Sequence, residues 1–419
     1  MRARHRITGL WMVAATISLL LAPTAVASSP APTAPTAPTA PSVAAPGLVG
    51  TFYPGDGSRI LDTRSANGVS TRTPIPAGQT VTLQVTGRGG VSSSGVGAVV
   101  LNLTVTGPAK AGYLTAWPAG QAMPATSSLN FLAGENRAAL VTVPVSSTGK
   151  VSLRSTASTH LLANVQGYYF DGTVELDGDV TTYVPLTPRR VWDTRLTYSL
   201  APRESRWVSV PNSAPDAFGM ALNVTVVRPE RYGFVGIGMS DGPSPSAVNF
   251  ATGQTTSNMT ILPSYTAAGQ DQEFYAYNGS DGYTDVVVDL VGRYDWGTNG
   301  LRFHPATPTR IVDSRVPLGT TALGTKDTNV VQAPSSVANS RTRALVTTVT
   351  AVRPTTETYL TLWADGSARP GVSNLNPHAG QTVSTMAMVR LSSLRKFDVY
   401  NNAGSTQVVV DVTGRFDAS

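Results

Sequence analysis

Along most of this chain apolar and polar residues alternate with a period of two, not 3.6. Val81, Leu83 and Val85 are interleaved with Thr80, Thr82 and Gln84, and Val99, Leu101, Leu103 and Val105 with Val100, Asn102, Thr104 and Thr106. Successive side chains on a strand point to opposite faces, so the pattern predicts strands with one apolar face. Val286, Val287 and Val288, and likewise Val408, Val409 and Val410, form unbroken β-branched runs, as expected of strands covered on both faces. Turn-forming residues recur roughly every ten positions, and no stretch offers a capped amphipathic helix. The pattern is that of an all-β protein.

The strands come in three sets. RILDTR at 59–64 returns as RVWDTR at 190–195 and RIVDSR at 310–315. An aromatic-x-Pro precedes each hexamer: Phe52 to Pro54, Tyr183 to Pro185, and Phe303 to Pro305. A strand around Asn102-Leu-Thr and Asn223-Val-Thr follows, blurred to Thr348-Val-Thr in the third copy. Next comes Ser-x-[Leu/Val]-Asn-x-x-x-Gly, at 127–134, 246–253 and 373–380. Each copy closes with [Asn/Asp]-[Val/Leu]-x-Gly-x-aromatic, at 164–169, 289–294 and 411–416. Asp62 and Asp193 lie 131 residues apart and Asp193 and Asp313 lie 120 apart. That period exceeds a solenoid unit and matches an independent domain. The expected architecture is three tandem β-sandwich modules of about 120 residues, at 49–171, 180–295 and 300–417, with small closed β-barrels as the alternative. A trefoil would need a sub-period of about 40 residues, which is not found. The joints, GTVELDGDV and WGTNG, are short and imply limited freedom between neighbours.

The start of the chain reads differently. Arg2, Arg4 and Arg6, the apolar run from Leu10 to Leu21, and Ala25-Val26-Ala27 have the three parts of a secretory signal peptide, expected over 1–27. The run is too short to span a membrane. A Pro/Thr/Ala-rich linker follows over 28–48, a composition that favours extended polyproline-II conformation. It can serve as a stalk or merely as a spacer from the cleavage site.

Charge and composition narrow the function classes. The chain carries +6, of which the three signal arginines account for half. With four lysines and no basic run, nothing resembles a nucleic-acid footprint. Cysteine is absent, which excludes disulfides and thiolate zinc sites. His160, His304 and His378 occupy non-equivalent positions without metal-ligand spacing, and no Gly-x-Ser-x-Gly elbow occurs. Asp177-Gly178-Asp179 lacks the further oxygen ligands of a calcium loop. No catalytic residue, cofactor or metal is therefore expected.

The hexamer has two readings, a clasp and a site. Alternation puts Asp62 and Arg64 on one face, and likewise Asp193 with Arg195 and Asp313 with Arg315. The closing motif adds Asn164, Asp289 and Asp411, the last two set in valine runs where a lone carboxylate is penalised. Arg195 and Arg315 are the natural partners of Asp289 and Asp411. The preferred reading is a clasp between the first and last strands; the alternative is three equivalent sites. The Asn of the Ser-x-[Leu/Val]-Asn stretch suits a turn closed by its Gly, and also suits sugar hydroxyls. Tyr113 and Trp117, with counterparts Tyr359 and Trp363, suggest a sugar-stacking surface together with Asn130 and Asn376; an interior tryptophan filling the sandwich explains the same pattern.

In the order and spacing of these motifs, over nearly all of 49–417, the chain resembles a repeat family of secreted actinobacterial proteins. The resemblance implies a non-catalytic extracellular module without a defined activity. The expected function is a secreted binding protein acting at or outside the cell wall on a repetitive polysaccharide. A structural or adhesive protein that binds other proteins or itself is the alternative, and a hydrolase of wall polymers the third.

Overall fold

Three pairs of sheets account for the strands of the computed structural model, which describes residues 48–174, 180–211, 217–264 and 271–419. The expected signal peptide, the linker through residue 47 and the acids Glu175, Asp177 and Asp179 lie outside them. The described residues all fall within one compact unit. In the first repeat an inner sheet orders Phe52–Pro54, His160–Phe170, Val96–Thr106 and Arg137–Pro144, with Arg59–Asp62 also paired to His160–Phe170. An outer sheet orders Thr80–Gln84, Lys150–Ser155, Gly112–Pro118 and Leu129–Phe131. The second repeat copies this with Thr181–Asp193, Asp285–Trp296, Ala217–Val227 and Thr256–Pro263 inside, and Ser205–Val210, Gln272–Asn278, Gly233–Gly238 and Ser246–Phe250 outside. In the third, Arg302–Asp313, Gln407–Asp417, Thr342–Val352 and Thr382–Arg390 lie inside, and Asp327–Gln332, Lys396–Asn401 and Leu360–Ala364 outside. All named pairings are antiparallel. The sheets stay open, so each repeat is a sandwich and the barrel alternative falls.

Alternation along the central strands decides where the cores sit. Val99, Leu101, Leu103 and Val105 pack with the outer sheet in the first repeat's own core. Their neighbours Ala98 and Val100 turn the other way, into a fourth core shared by all three repeats. The second and third repeats do the same, with Ala221 and with Ala344 and Val346 respectively. Both faces of each inner sheet are thus covered, so even the polar residues of these strands, such as Asn102, Thr104 and Asn223, are buried. A single pairing, Phe52 with Thr181, joins the inner sheets of the first two repeats.

The shared core explains two of the sequence landmarks. The aromatic of each aromatic-x-Pro stacks on the closing aromatic of the next repeat: Phe52 on Tyr294 at 4.1 Å, Tyr183 on Phe416 at 4.3 Å, and Phe303 back on Tyr169 at 4.1 Å. Each repeat leans on its successor and the third leans on the first, so contacts of head-to-tail type close into a ring. The closing-motif glycines make room for these rings. A Cβ on Gly167, Gly292 or Gly414 would overlap the ring of Phe52, Tyr183 or Phe303 respectively.

The Asn-loop landmark lies at the boundaries between repeats. Asn102 Nδ2 donates to the Ser246 carbonyl at 2.5 Å and Asn223 Nδ2 to the Ser373 carbonyl at 2.7 Å. At the boundary of the third repeat with the first, the Asn130 N–H donates to Ser384 Oγ at 3.1 Å. Gly134, Gly253 and Gly380 close their turns at φ of 72°, 71° and 72°, as the motif predicts.

Candidate functional site: the hexamer clasps and the clefts between repeats

Each hexamer begins with a register slip. Arg59 faces Asn164 but Leu61 faces Ala163, and the same slip recurs after Arg190 and Arg310. The extra residue, Ile60, Val191 or Ile311, is a β-bulge, and it interrupts the period-two alternation. The first arginine of the hexamer consequently comes to the same side as the aspartate three positions later.

Four side chains then form each clasp. In the first repeat Arg59 Nε donates to Asn164 Oδ1 at 2.9 Å and Arg59 Nη1 to Asp62 Oδ2 at 3.0 Å. Arg64 grips the same aspartate from the other side, Nε to Oδ1 at 2.9 Å and Nη2 to Oδ2 at 2.8 Å. In the second repeat Arg190 Nε meets Asp289 Oδ1 at 3.0 Å while Arg195 makes the fork on Asp193. In the third, Arg310 meets both oxygens of Asp411, at 2.9 and 3.1 Å, and Arg315 grips Asp313. The alternation argument assigned Asp289 and Asp411 to Arg195 and Arg315. The structure pairs them with Arg190 and Arg310, because the bulge moves the first arginine across.

The fifth hexamer residue completes the joint. Thr63 Oγ1 accepts from the Leu161 N–H and lies 2.8 Å from His160 Nδ1. Thr194 Oγ1 accepts from the Val286 N–H and donates to Asp285, and Ser314 Oγ does the same with Val408 and Gln407. One hydroxyl thus pins the start of each closing strand, which explains Thr or Ser at this position.

The carboxylates of a clasp are in opposite electrostatic states. The Arg64 guanidinium holds Asp62 down to about 2, and Arg195 and Arg315 hold Asp193 and Asp313 below the usual carboxylate range. Asp289 and Asp411 are only 1% exposed, and burial pushes them up against the pull of Arg190 and Arg310.

The outward side of two clasps opens into a cleft. One, of about 720 Å³, lies between the second and third repeats and is lined by Arg190, Arg195 and Thr225 from the second and by Tyr359, Ser373 and Asn376 from the third. The other, of about 770 Å³, lies between the first and second and is lined by the equivalent Arg59, Arg64, Thr104, Phe234, Ser246 and Asn249. In both, the first arginine has Nη2 and the last has Nη1 without a partner within the described residues. Two acceptors are also buried without a hydrogen-bond partner, Thr225 Oγ1 in one cleft and Asn249 Oδ1 in the other. Each cleft therefore combines guanidinium donors, hydroxyl and amide groups and aromatic side chains, Tyr359 in one and Tyr232, Phe234 and Phe250 in the other.

The six proposed sugar-contacting residues separate accordingly. Tyr359 and Asn376 line the cleft between the second and third repeats. Tyr113 and Asn130 are cross-strand partners in the first repeat, with the Tyr113 ring 40% exposed. Trp117 and Trp363 are 6% and 8% exposed, and each indole N–H donates to the carbonyl four residues on, of Gln121 or Ser367, at 3.0 Å. Both side chains are buried, and Trp363 lines a small pocket beside Leu186 and Pro188. Sequence reasoning missed Arg59, Arg190 and Arg310 as clasp members, although each is the invariant first letter of its hexamer. It also missed Thr225, which alternation places on the face of Asn223. Among the described residues no cluster of His, Asp or Glu is arranged to hold a metal ion, and no helix is long and apolar enough to cross a membrane.

No family model matches the chain, and no curated protein does. Among solved structures the chain is similar to one described as "The Triple Jelly Roll Fold and Turret Assembly in an Archaeal Virus", at 8% identity and a TM-score of 0.17, covering 88% of this chain and 90% of that one. It is similar at the same identity and TM-score to one described as "Life in the extremes: atomic structure of Sulfolobus Turreted Icosahedral Virus", covering 83% of this chain and 85% of that one.

Proposed function

We propose that the protein is a secreted, non-catalytic binding protein that holds a polysaccharide at or outside the cell wall, in the clefts between its repeats. The observation that carries this reading is that the same arrangement of two arginines, a threonine, an aromatic ring and an asparagine lines two successive boundaries. Guanidinium forks and amides suit vicinal hydroxyls, and an aromatic ring suits the apolar face of a pyranose. Two like sites on one rigid body match a repeating polymer, where simultaneous engagement raises avidity by orders of magnitude over either site alone. The clasps fix the lining arginines before any ligand arrives, which lowers the ordering cost of binding.

Retention of the intact chain on insoluble wall material and on a panel of glycans tests the proposal. Tyr232, 75% exposed at the rim of the first cleft, and Tyr359 in the second are the residues to change. Tyr232→Ala and Tyr359→Ala are each expected to weaken retention, about tenfold for a lost stacking contact, and the double variant is expected to abolish it. Undiminished retention of a folded double variant overturns the reading.

A further inference from the structure

The two clefts share a plan but differ by one charge. The closing strand supplies Asp289 to the second clasp and Asp411 to the third, but the neutral Asn164 to the first. All three residues are buried, so the exchange alters the charge beneath the cleft without altering its walls. In the first clasp two guanidiniums therefore share the single carboxylate of Asp62. Arg64 forks onto both of its oxygens, and Arg59 Nη1 reaches Oδ2 at 3.0 Å. The other bond of Arg59, from Nε to Asn164 Oδ1 at 2.9 Å, goes to an uncharged acceptor.

The remaining charges that line the first cleft cancel in pairs. Arg203 lies 2.7 Å from Asp281. Glu135 accepts from the Leu132 N–H at 2.8 Å and from Gln254 Nε2 at 3.2 Å, and the buried Arg137 guanidinium stands 3.8 Å away. One arginine charge of this cleft is left over. In the cleft between the second and third repeats none is. Arg190 and Arg195 meet Asp289 and Asp193, and the further arginines Arg228 and Arg369 are matched by Asp285 and Glu357 on the same walls. The third clasp is balanced too, with Arg310 and Arg315 on Asp411 and Asp313. A surplus cation in a partly enclosed cleft draws an anion more strongly than the same charge on open surface.

We propose that the cleft between the first and second repeats takes the acidic group of a saccharide, a carboxylate or a phosphate, on Arg59 and Arg64. This rests on the polysaccharide reading above and gives it a substrate class: an acidic polymer seats a charged unit in the first cleft and a neutral unit in the second. The shared chemistry is an oxyanion that accepts from Arg59 Nη2 and Arg64 Nη1, on guanidiniums that Asp62 already holds in place.

Calorimetric titration of the intact chain tests this with galacturonate against neutral galactose oligomers for the carboxylate, and with phosphorylated against neutral mannose oligomers for the phosphate. One acidic probe is expected to bind about tenfold more tightly than its neutral parent, and the gap should narrow as salt rises. Asn164→Asp gives the first clasp the charge of its siblings and should bring that ratio below about twofold. Asp289→Asn makes the opposite exchange in the second clasp, and added to Asn164→Asp it should bring the preference back. If Asn164→Asp does not fold, Asp289→Asn alone carries the test, since it should double the number of tight acidic sites per chain. Equal affinity for acidic and neutral probes, or a preference that neither exchange alters, overturns the proposal while leaving the polysaccharide reading intact. Absence of binding by every probe and by wall material overturns both.

Discussion

The first and third clasps perform the same joint with different charges. In the third, Arg310 forks onto Asp411, a carboxylate 1% exposed; in the first, Arg59 donates to the neutral Asn164, also 1% exposed. The strands meet in the same register in both. A closing-strand charge is therefore not what holds the joint. The bulge and the fork of the last arginine on the hexamer aspartate are common to all three repeats. Where the carboxylate is present its burial penalty offsets much of the attraction, as its upward shift records. The invariant part of the clasp is geometry, and the closing-strand charge is an option exercised in two repeats.

The largest expected effect that would break this comparison comes from removing the first arginine. Arg310→Ala strands a buried carboxylate and should cost about 3–5 kcal/mol, whereas Arg59→Ala strands an amide and should cost about 1–2 kcal/mol. Denaturant unfolding of both variants checks the ordering, and equal costs would show that the carboxylate is not held by Arg310. Next come the closing glycines. Gly414→Ala pushes a methyl into the Phe303 ring, an overpacking worth about 1–3 kcal/mol. Gly167→Ala meets the Phe52 ring and must also keep φ of 142°, so it should be the worse of the two. Thermal midpoints measured side by side decide this.

The smallest effect sharpens the comparison most. Asp411→Asn gives the third clasp the chemistry of the first and should change stability by less than about 1 kcal/mol at neutral pH. Its signature lies in the pH profile. Asp411 is raised in the folded chain, so on mild acidification the folded state takes up that proton before the unfolded state does. Wild type should gain stability relative to Asp411→Asn as the pH falls from neutral towards about 4, the unfolded value, and the gain should then level off. Asp62, Asp193 and Asp313 are lowered, so their contribution is present above about 4 and is lost in both proteins as the pH falls below it. Parallel profiles down to pH 4 would contradict the raised state of Asp411.

Much of this architecture is legible in the sequence. The valine runs announced strands covered on both faces, and the ordered landmarks announced three copies. The Ser-x-[Leu/Val]-Asn motif announced a turn whose glycine adopts positive φ. The bulge was not legible, because Ile60, Val191 and Ile311 are ordinary strand residues and nothing local marks an extra one. That one slip redirected the arginine pairing. The shared core was hidden for another reason: Phe52, Tyr183 and Phe303 read as landmarks of single repeats, and their partners lie in other repeats. The clefts followed from that packing, so Tyr359 and Arg195 could be singled out separately but not brought together. Trp117 and Trp363 show the converse, since a strand tryptophan near a loop has the same sequence signature whether its ring is covered or bare.

Because all three lobes of the ring belong to one polypeptide, the assembly cannot come apart on dilution, as a trimer of separate chains would. Genetic freedom follows too. In a symmetric trimer a substitution strikes every boundary at once; here Asn164, Thr348 and Gly107 each set a single lobe apart from its two siblings. Equal scaffolds can thus diverge one lobe at a time.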